Sequence, residues 1–240
     1  MFESDELFEA PNWSPDGISL VVNKGGGLFV IEIASGAVRK IDTQGVDRVN
    51  NDHILSPYGK LVYFSANGHL YSVPIAGGDV HKISNDFPVE LKYFYWLHGV
   101  SPDGRTLAYV ATHTVGDGPN PRGRVRLATI PAAGGNDFYL TDNETGHFDG
   151  PEFSRDGGWI YYNSEEAATA PGHAQIFRMR TDGSDHEQLT FDERVNWFPH
   201  FDPTGEKVLY LSYGPGIQSH PADVELIIRM MAPDGTEPAT

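Results

Sequence analysis

The stretch NWSPDGISLVV, residues 12–22, decides the fold. Its centre, SPDG at 14–17, has the chemistry of a tight turn. Pro15 fixes φ at the second turn position, Asp16 favours local hydrogen bonds, and Gly17 takes the left-handed conformation. Behind the turn runs the apolar segment ISLVV. The same four letters, with the same kind of run behind them, return in GVSPDGRTLAYV at 99–110.

Looser copies are SPYG at 56–59, SRDG at 154–157 and DPTG at 202–205. Turns therefore start at 14, 56, 101, 154 and 202, at intervals of 42, 45, 53 and 48 residues. Such periods belong to propeller blades or to helical arrays. The runs after the turns decide between them, because ISLVV, KLVYFSA, RTLAYVAT, WIYYNS and EKVLYLSY are short and β-rich. A second run follows in each unit (LFVIEIASG, LYSVPIAGG, VRLATIPAAGG, IFRMRTDGS, ELIIRMMAPDG). Most units add a short third run, as in VRKID or HEQLT, and a further short run precedes each turn. Four strands per unit, joined by turn chemistry and without a sustained helical period, predict an all-β propeller of four-stranded antiparallel blades. Five repeats are visible. As a single domain over 1–240, the blades are expected near 8–45, 50–86, 95–142, 148–191 and 196–240, the last one incomplete.

The pattern P-x-W-S-P-D-G, followed by an aliphatic and aromatic run and closed by x-x-L-T, resembles the TolB-like propeller repeat. It stands here as PNWSPDG at 11–17 and, less completely, as PEFSRDG at 151–157 with QLT at 188–190. The resemblance covers nearly the whole chain and is specific for fold rather than function. Similar blades occur in periplasmic TolB proteins, in the propellers that precede prolyl-peptidase catalytic domains, and in lyases of pectate oligomers. It implies a ring of six blades, so the five turns read as a propeller lacking about one blade. The separate α/β domain and the signal peptide of TolB proteins do not appear in these residues. The resemblance implies a periplasmic location if the chain follows TolB and a cytoplasmic one if no signal peptide precedes it.

The chain has 17 Lys and Arg against 33 Asp and Glu, a formal charge of −16. A nucleic-acid backbone would be repelled by that field. The apolar runs are too short to span a bilayer. The chain has no cysteine, which excludes disulfides, thiolate metal sites and cysteine nucleophiles. No G-x-S-x-G elbow, H-E-x-x-H motif or dinucleotide fingerprint occurs; GDGPNP at 116–121 lacks the last glycine. NWS at 12–14 and NET at 143–145 match glycosylation acceptors, a triplet that arises readily by chance.

Loop lengths point to one working face. The turn at SPDG and the Gly-Gly turn are tight, so their face is plain. On the opposite face the connections are short in the first two units but long at 112–123, 164–174 and 213–223. Long loops on a rigid scaffold are where binding concentrates. The innermost strands open on that face. Counted back from the turns, His53 and His98 take the position that Pro11, Pro151 and Pro199 hold elsewhere, and His200 lies one further on. Asp149 sits two before its proline, where Trp96 and Trp197 sit in their units. His53, Trp96, His98, Asp149, Trp197, His200 and His220 are thus the candidate contacts for a protein or peptide partner at the channel mouth. No catalytic residue and no required cofactor is assigned. The alternatives are a lyase or hydrolase of anionic saccharides, with a divalent metal on His53, His98 and His200, and an accessory propeller of a peptidase. Open blade edges would favour self-association.

Overall fold

A computed structural model describes residues 4–114, 124–141 and 147–236. The first sheet holds β1 (Glu9–Trp13), β2 (Ser19–Lys24), β3 (Gly27–Glu32) and β4 (Val38–Lys40). The second holds β5 (Val49–Leu55), β6 (Leu61–Ala66), β7 (His69–Pro74) and β8 (His81–Lys82). The third is β9 (Phe94–Val100), β10 (Thr106–His113), β11 (Arg124–Pro131) and β12 (Phe138–Tyr139), and the fourth β13 (Phe148–Phe153), β14 (Trp159–Ser164), β15 (Gln175–Arg180) and β16 (Glu187–Gln188). The fifth has three strands among the described residues: β17 (Val195–Phe201), β18 (Val208–Tyr213) and β19 (Leu226–Met231). Each sheet is antiparallel in chain order, so each is a propeller blade. A single 3-10 turn, Val89–Leu91, is the helical element of the described residues.

The repeated turn has a local and a tertiary cause. In blade one the Ser14 hydroxyl donates to Asp16 Oδ1 at 2.6 Å and accepts from Ser19 N at 3.0 Å, while Gly17 N donates to Ser14 O at 2.8 Å. Blades three and four repeat this with Ser101 and Asp103, and with Ser154 and Asp156. In blade five the carboxylate of Asp202 replaces the serine and accepts from Lys207 N at 3.0 Å. The turns also stack around the ring. A Cβ on Gly59 would lie 3.0 Å from Pro15 Cδ, and that glycine has φ +65°. Turn glycine packs on the preceding turn's proline again at Gly104 with Pro57 and at Gly157 with Pro102.

Four apolar seams join neighbouring blades. Val21, Val30, Val62 and Phe64 lie in the first, Tyr63, Leu97, Leu107 and Tyr109 in the second, and Ala108, Val110, Phe148 and Tyr162 in the third. Tyr161, Ile176, Val208, Tyr210 and Met231 lie in the fourth. Burial of consecutive residues, and hence of both faces, of β2, β6, β10 and β14 drives this packing. The innermost strands touch in the order β1, β5, β9, β13, β17. No apolar cluster of the described residues joins blade five to blade one. There Trp13 is 61% and Ile228 also 61% exposed.

Candidate functional site

A bulge interrupts every innermost strand, and its position decides which side chains reach the channel. In blades one, four and five the irregularity falls on Ala10–Pro11, Gly150–Pro151 and Phe198–Pro199. Proline fits there because a bulged residue donates no ladder hydrogen bond. The residue before each proline has positive φ: Ala10 +48°, Gly150 +61° and Phe198 +52°. For a phenylalanine this is a costly conformation, held here by the Asn163 side-chain oxygen, which accepts from Phe198 N at 3.0 Å. In blade three the bulge falls on His98 itself, between Leu97 and Gly99. In blade two it precedes His53, which is back in register opposite Phe64.

At the mouth, His98 Nε2 lies 3.0 Å from Asp149 Oδ1, an ion pair joining blades three and four. Gly150 N donates to the same oxygen at 2.8 Å, and His147 Nε2 is 3.9 Å from Oδ2. Burial pulls the His98 imidazole down, but Asp149, then Asp52 and Glu152, outweigh it and raise its pKa above the usual value. Burial likewise works against the Asp149 carboxylate, yet His98, Gly150 N and His147 hold its pKa below the usual range. Asp52 shows the opposite balance. Burial raises its pKa despite the field of His98 and the hydrogen bond from Asn50. The Phe198 ring stacks on His98 at 5.9 Å and 20°. His220, from the connection between β18 and β19, lies 4.9 Å from both the Phe198 and Trp197 rings. Trp197 is fully buried, and its indole nitrogen has no hydrogen-bond partner.

No protein-family model matches the chain. The uncharacterized protein Atu1656 of Agrobacterium fabrum is 36% identical over 242 residues, 98% of this chain and 76% of its own length. A solved structure from Agrobacterium tumefaciens, provisionally named TolB, superposes with a TM-score of 0.84 at 34% identity, over 99% of this chain and 81% of that one. The chain belongs to the TolB-like propeller family. An oligogalacturonate lyase solved with manganese shares the fold at a TM-score of 0.68 and 14% identity, covering 94% of this chain and 62% of that one.

Within this TolB-like propeller the seven sequence candidates go to different places. His98, Asp149, Trp197 and His220 converge at the mouth. His53 does not: it is 5% exposed, sits in the seam between blades one and two, and its Nε2 is 3.3 Å from Val21 O. Trp96 packs beside the seam between blades three and four, where its indole nitrogen donates to Thr112 Oγ1 at 2.9 Å. His200 forms an ion pair with Glu152 of blade four, whose other oxygen accepts from Phe201 N at 3.0 Å. His53, His98 and His200 therefore do not share one ligand position. Among the described residues no group of three or more His, Asp or Glu side chains is placed to hold a metal ion.

Asp52, His147 and Phe198 belong to the mouth without having been read from the sequence. Asp52 neighbours His53 and lies in the irregular part of β5, before that histidine returns to register. Phe198 precedes Pro199, a position where proline alone signals a bulge. Of the long loops, 112–123 lies mostly outside the described residues, as do GDGPNP and NET. The loop at 164–174 is built into the blade. His173 Nδ1 accepts from Thr169 N at 3.2 Å, its Nε2 donates to Asp192 O at 2.9 Å, and Gln175 Nε2 donates to Arg194 O at 2.7 Å. No helix of the described residues is long and apolar enough to cross a membrane.

Proposed function

We propose that this TolB-like propeller is a non-catalytic binding module that docks a protein or peptide partner on the long-loop face, around the channel mouth. The observation that carries the reading is the convergence of His98, Asp149, Phe198 and His220 from three blades beside the loops at 164–174 and 213–223. A bulky residue held at positive φ and a desolvated ion pair are costs that persist at sites shaped for binding. The hydrogen-bonded loop at 164–174 supports a preformed surface, which lowers the ordering cost of association. The similarity to the Agrobacterium structure provisionally named TolB supports the same reading.

The test is to replace 213–223 with a short glycine-containing loop, which lies between β18 and β19. A partner isolated by affinity capture and then purified should bind this variant at least tenfold more weakly, by titration calorimetry, with the fold intact by circular dichroism. Undiminished binding there, with binding lost instead on changes at Pro57 and Tyr58 of the plain face, would place the docking surface on the wrong side.

A further inference from the structure

The docking reading leaves open what chemistry the mouth recognises, and the inference below rests on that reading. We propose that Trp197 is the floor of a seat for an uncharged amide, a backbone carbonyl of an extended partner segment, with His220 as its displaceable cover. Contacts between side chains define the seat. The Trp197 indole lies 4.9 Å from the His220 ring and 5.7 Å from the His147 ring. His220 also lies 4.9 Å from the Phe198 ring, which stacks on His98 at 5.9 Å. His98 and His147 both face Asp149, at 3.0 Å and 3.9 Å. These contacts close a circuit of six side chains drawn from blades three, four and five. Charge within the circuit is already matched, because His98 holds Asp149. The unmet group is Trp197. Its side chain is fully buried, and its indole N–H has no hydrogen-bond partner among the described residues. A buried donor left unpaired costs free energy that an incoming acceptor recovers.

The surroundings select the acceptor. The lining is made of rings, so a carboxylate seated there would give up its water with Asp149 close by and a chain of net charge −16 around it. An amide carbonyl supplies the acceptor oxygen without the charge. The cover is the part of the lining free to leave. His220 is exposed and belongs to the connection between β18 and β19. The start of that connection is loosely packed, since a Cβ on Gly214 or Gly216 would meet nothing within 4 Å. Ser219 and Asp223, on either side of His220, hold φ of +60° and +61°. Such conformations are costly for residues other than glycine, which favours rearrangement there. Ile217 and Val224 pack in the same apolar cluster as Trp197, so displacement of His220 leaves the rest of the indole covered.

The experiment uses the full chain labelled with nitrogen-15 and two probes at matched ionic strength, N-acetylglycine-N-methylamide and acetate. The Trp197 indole resonance is assigned by Trp197→Phe or, where that variant does not fold, by elimination with Trp13→Phe, Trp96→Phe and Trp159→Phe. The amide probe should move that resonance downfield and saturably, and acetate should bind at least tenfold more weakly. His220→Ala should tighten the amide probe at least threefold, because the cover is gone. No saturable shift from the amide probe, or an equal one from acetate, overturns the inference. An amide affinity that His220→Ala leaves unchanged or weakens overturns it as well. The comparison of the two probes on the unaltered chain needs no variant to fold and no partner. Its failure, beside a partner that loses binding when 213–223 is replaced, would overturn this inference and leave the docking reading standing. A partner that ignores the loop replacement would overturn the docking reading, while the probe titration decides the amide seat separately.

Discussion

Two seams of the ring each receive a histidine three residues before a turn, and the two histidines meet opposite environments. Between blades one and two, His53 is sealed from solvent, its Nδ1 unpartnered and its Nε2 near a backbone carbonyl. Burial lowers its pKa, so it is held neutral. Between blades three and four, His98 faces Asp149 and the Phe198 ring, and its pKa is raised. The residue type and the count from the turn are the same. What differs is the place of the bulge, which turns one imidazole into the packed seam and the other toward the channel.

The largest effect should come from breaking the charged seam. His98→Ala leaves the Asp149 carboxylate desolvated with the Gly150 N–H and the more distant His147 as its remaining partners, and a cost of about 3 kcal/mol is expected, the scale of an uncompensated buried charge. His53→Ala removes packing without stranding a charge and should cost about 1–2 kcal/mol. Urea unfolding of both variants at neutral pH checks the order. The reverse order would mean that the ion pair is weaker than the packing at His53.

Next is the bulge. Gly150 has φ +61°, and a Cβ there would lie 2.9 Å from the Phe198 ring. Gly150→Ala should cost about 2 kcal/mol, whereas Ala10→Gly, at the equivalent position with φ +48°, should stabilise by up to about 1 kcal/mol. Equal and small effects would remove the strain argument for the mouth.

The two histidines should also bend the pH dependence of stability in opposite directions. For His98, whose folded pKa is raised, the contribution is complete below the unfolded value near ~6.5 and is lost as pH rises through the folded one. Asp149 supplies the acid limit, because its lowered pKa makes its contribution fade only as pH falls through that value. For His53, whose folded pKa is lowered by burial, stability is complete above ~6.5 and is lost as pH falls. Denaturation midpoints from pH 5 to 9 should therefore show His98→Gln flattening the alkaline side and His53→Gln flattening the acid side. Parallel profiles for both variants would contradict the assigned environments.

The smallest stability effect is expected at the side with no seam. Ile228 and Met230 are exposed on β19, at 61% and 41%. Changing both to lysine should alter stability by less than about 0.5 kcal/mol, as surface substitutions do. It should lower the concentration-dependent mass in sedimentation, since exposed apolar edge strands favour association. An unchanged mass would show that this edge does not drive self-association.

Much of the fold was legible because its determinants are local. Ser14, Pro15, Asp16 and Gly17 close their turn within six residues, and the recurrence of that chemistry with β-rich runs is enough to specify blades. The mouth was legible only in part. Counting back from the turns reaches His98, Asp149 and Trp197, but it treats His53 as their equal and passes over Asp52. The one-residue offsets set by bulges leave no mark in blades two and three, which have no proline there.

The sequence by itself determined the blade: strand order, turn type and the repeat follow from contacts between residues near in the chain, whose period survives in the letters. The tertiary structure decided the site. Which of two like histidines is buried neutral and which is paired depends on residues far apart in the chain, Val21 with His53 and Asp149 with His98. Side-chain direction reverses with each residue of strand register, and register across blades is set by packing that no local pattern records.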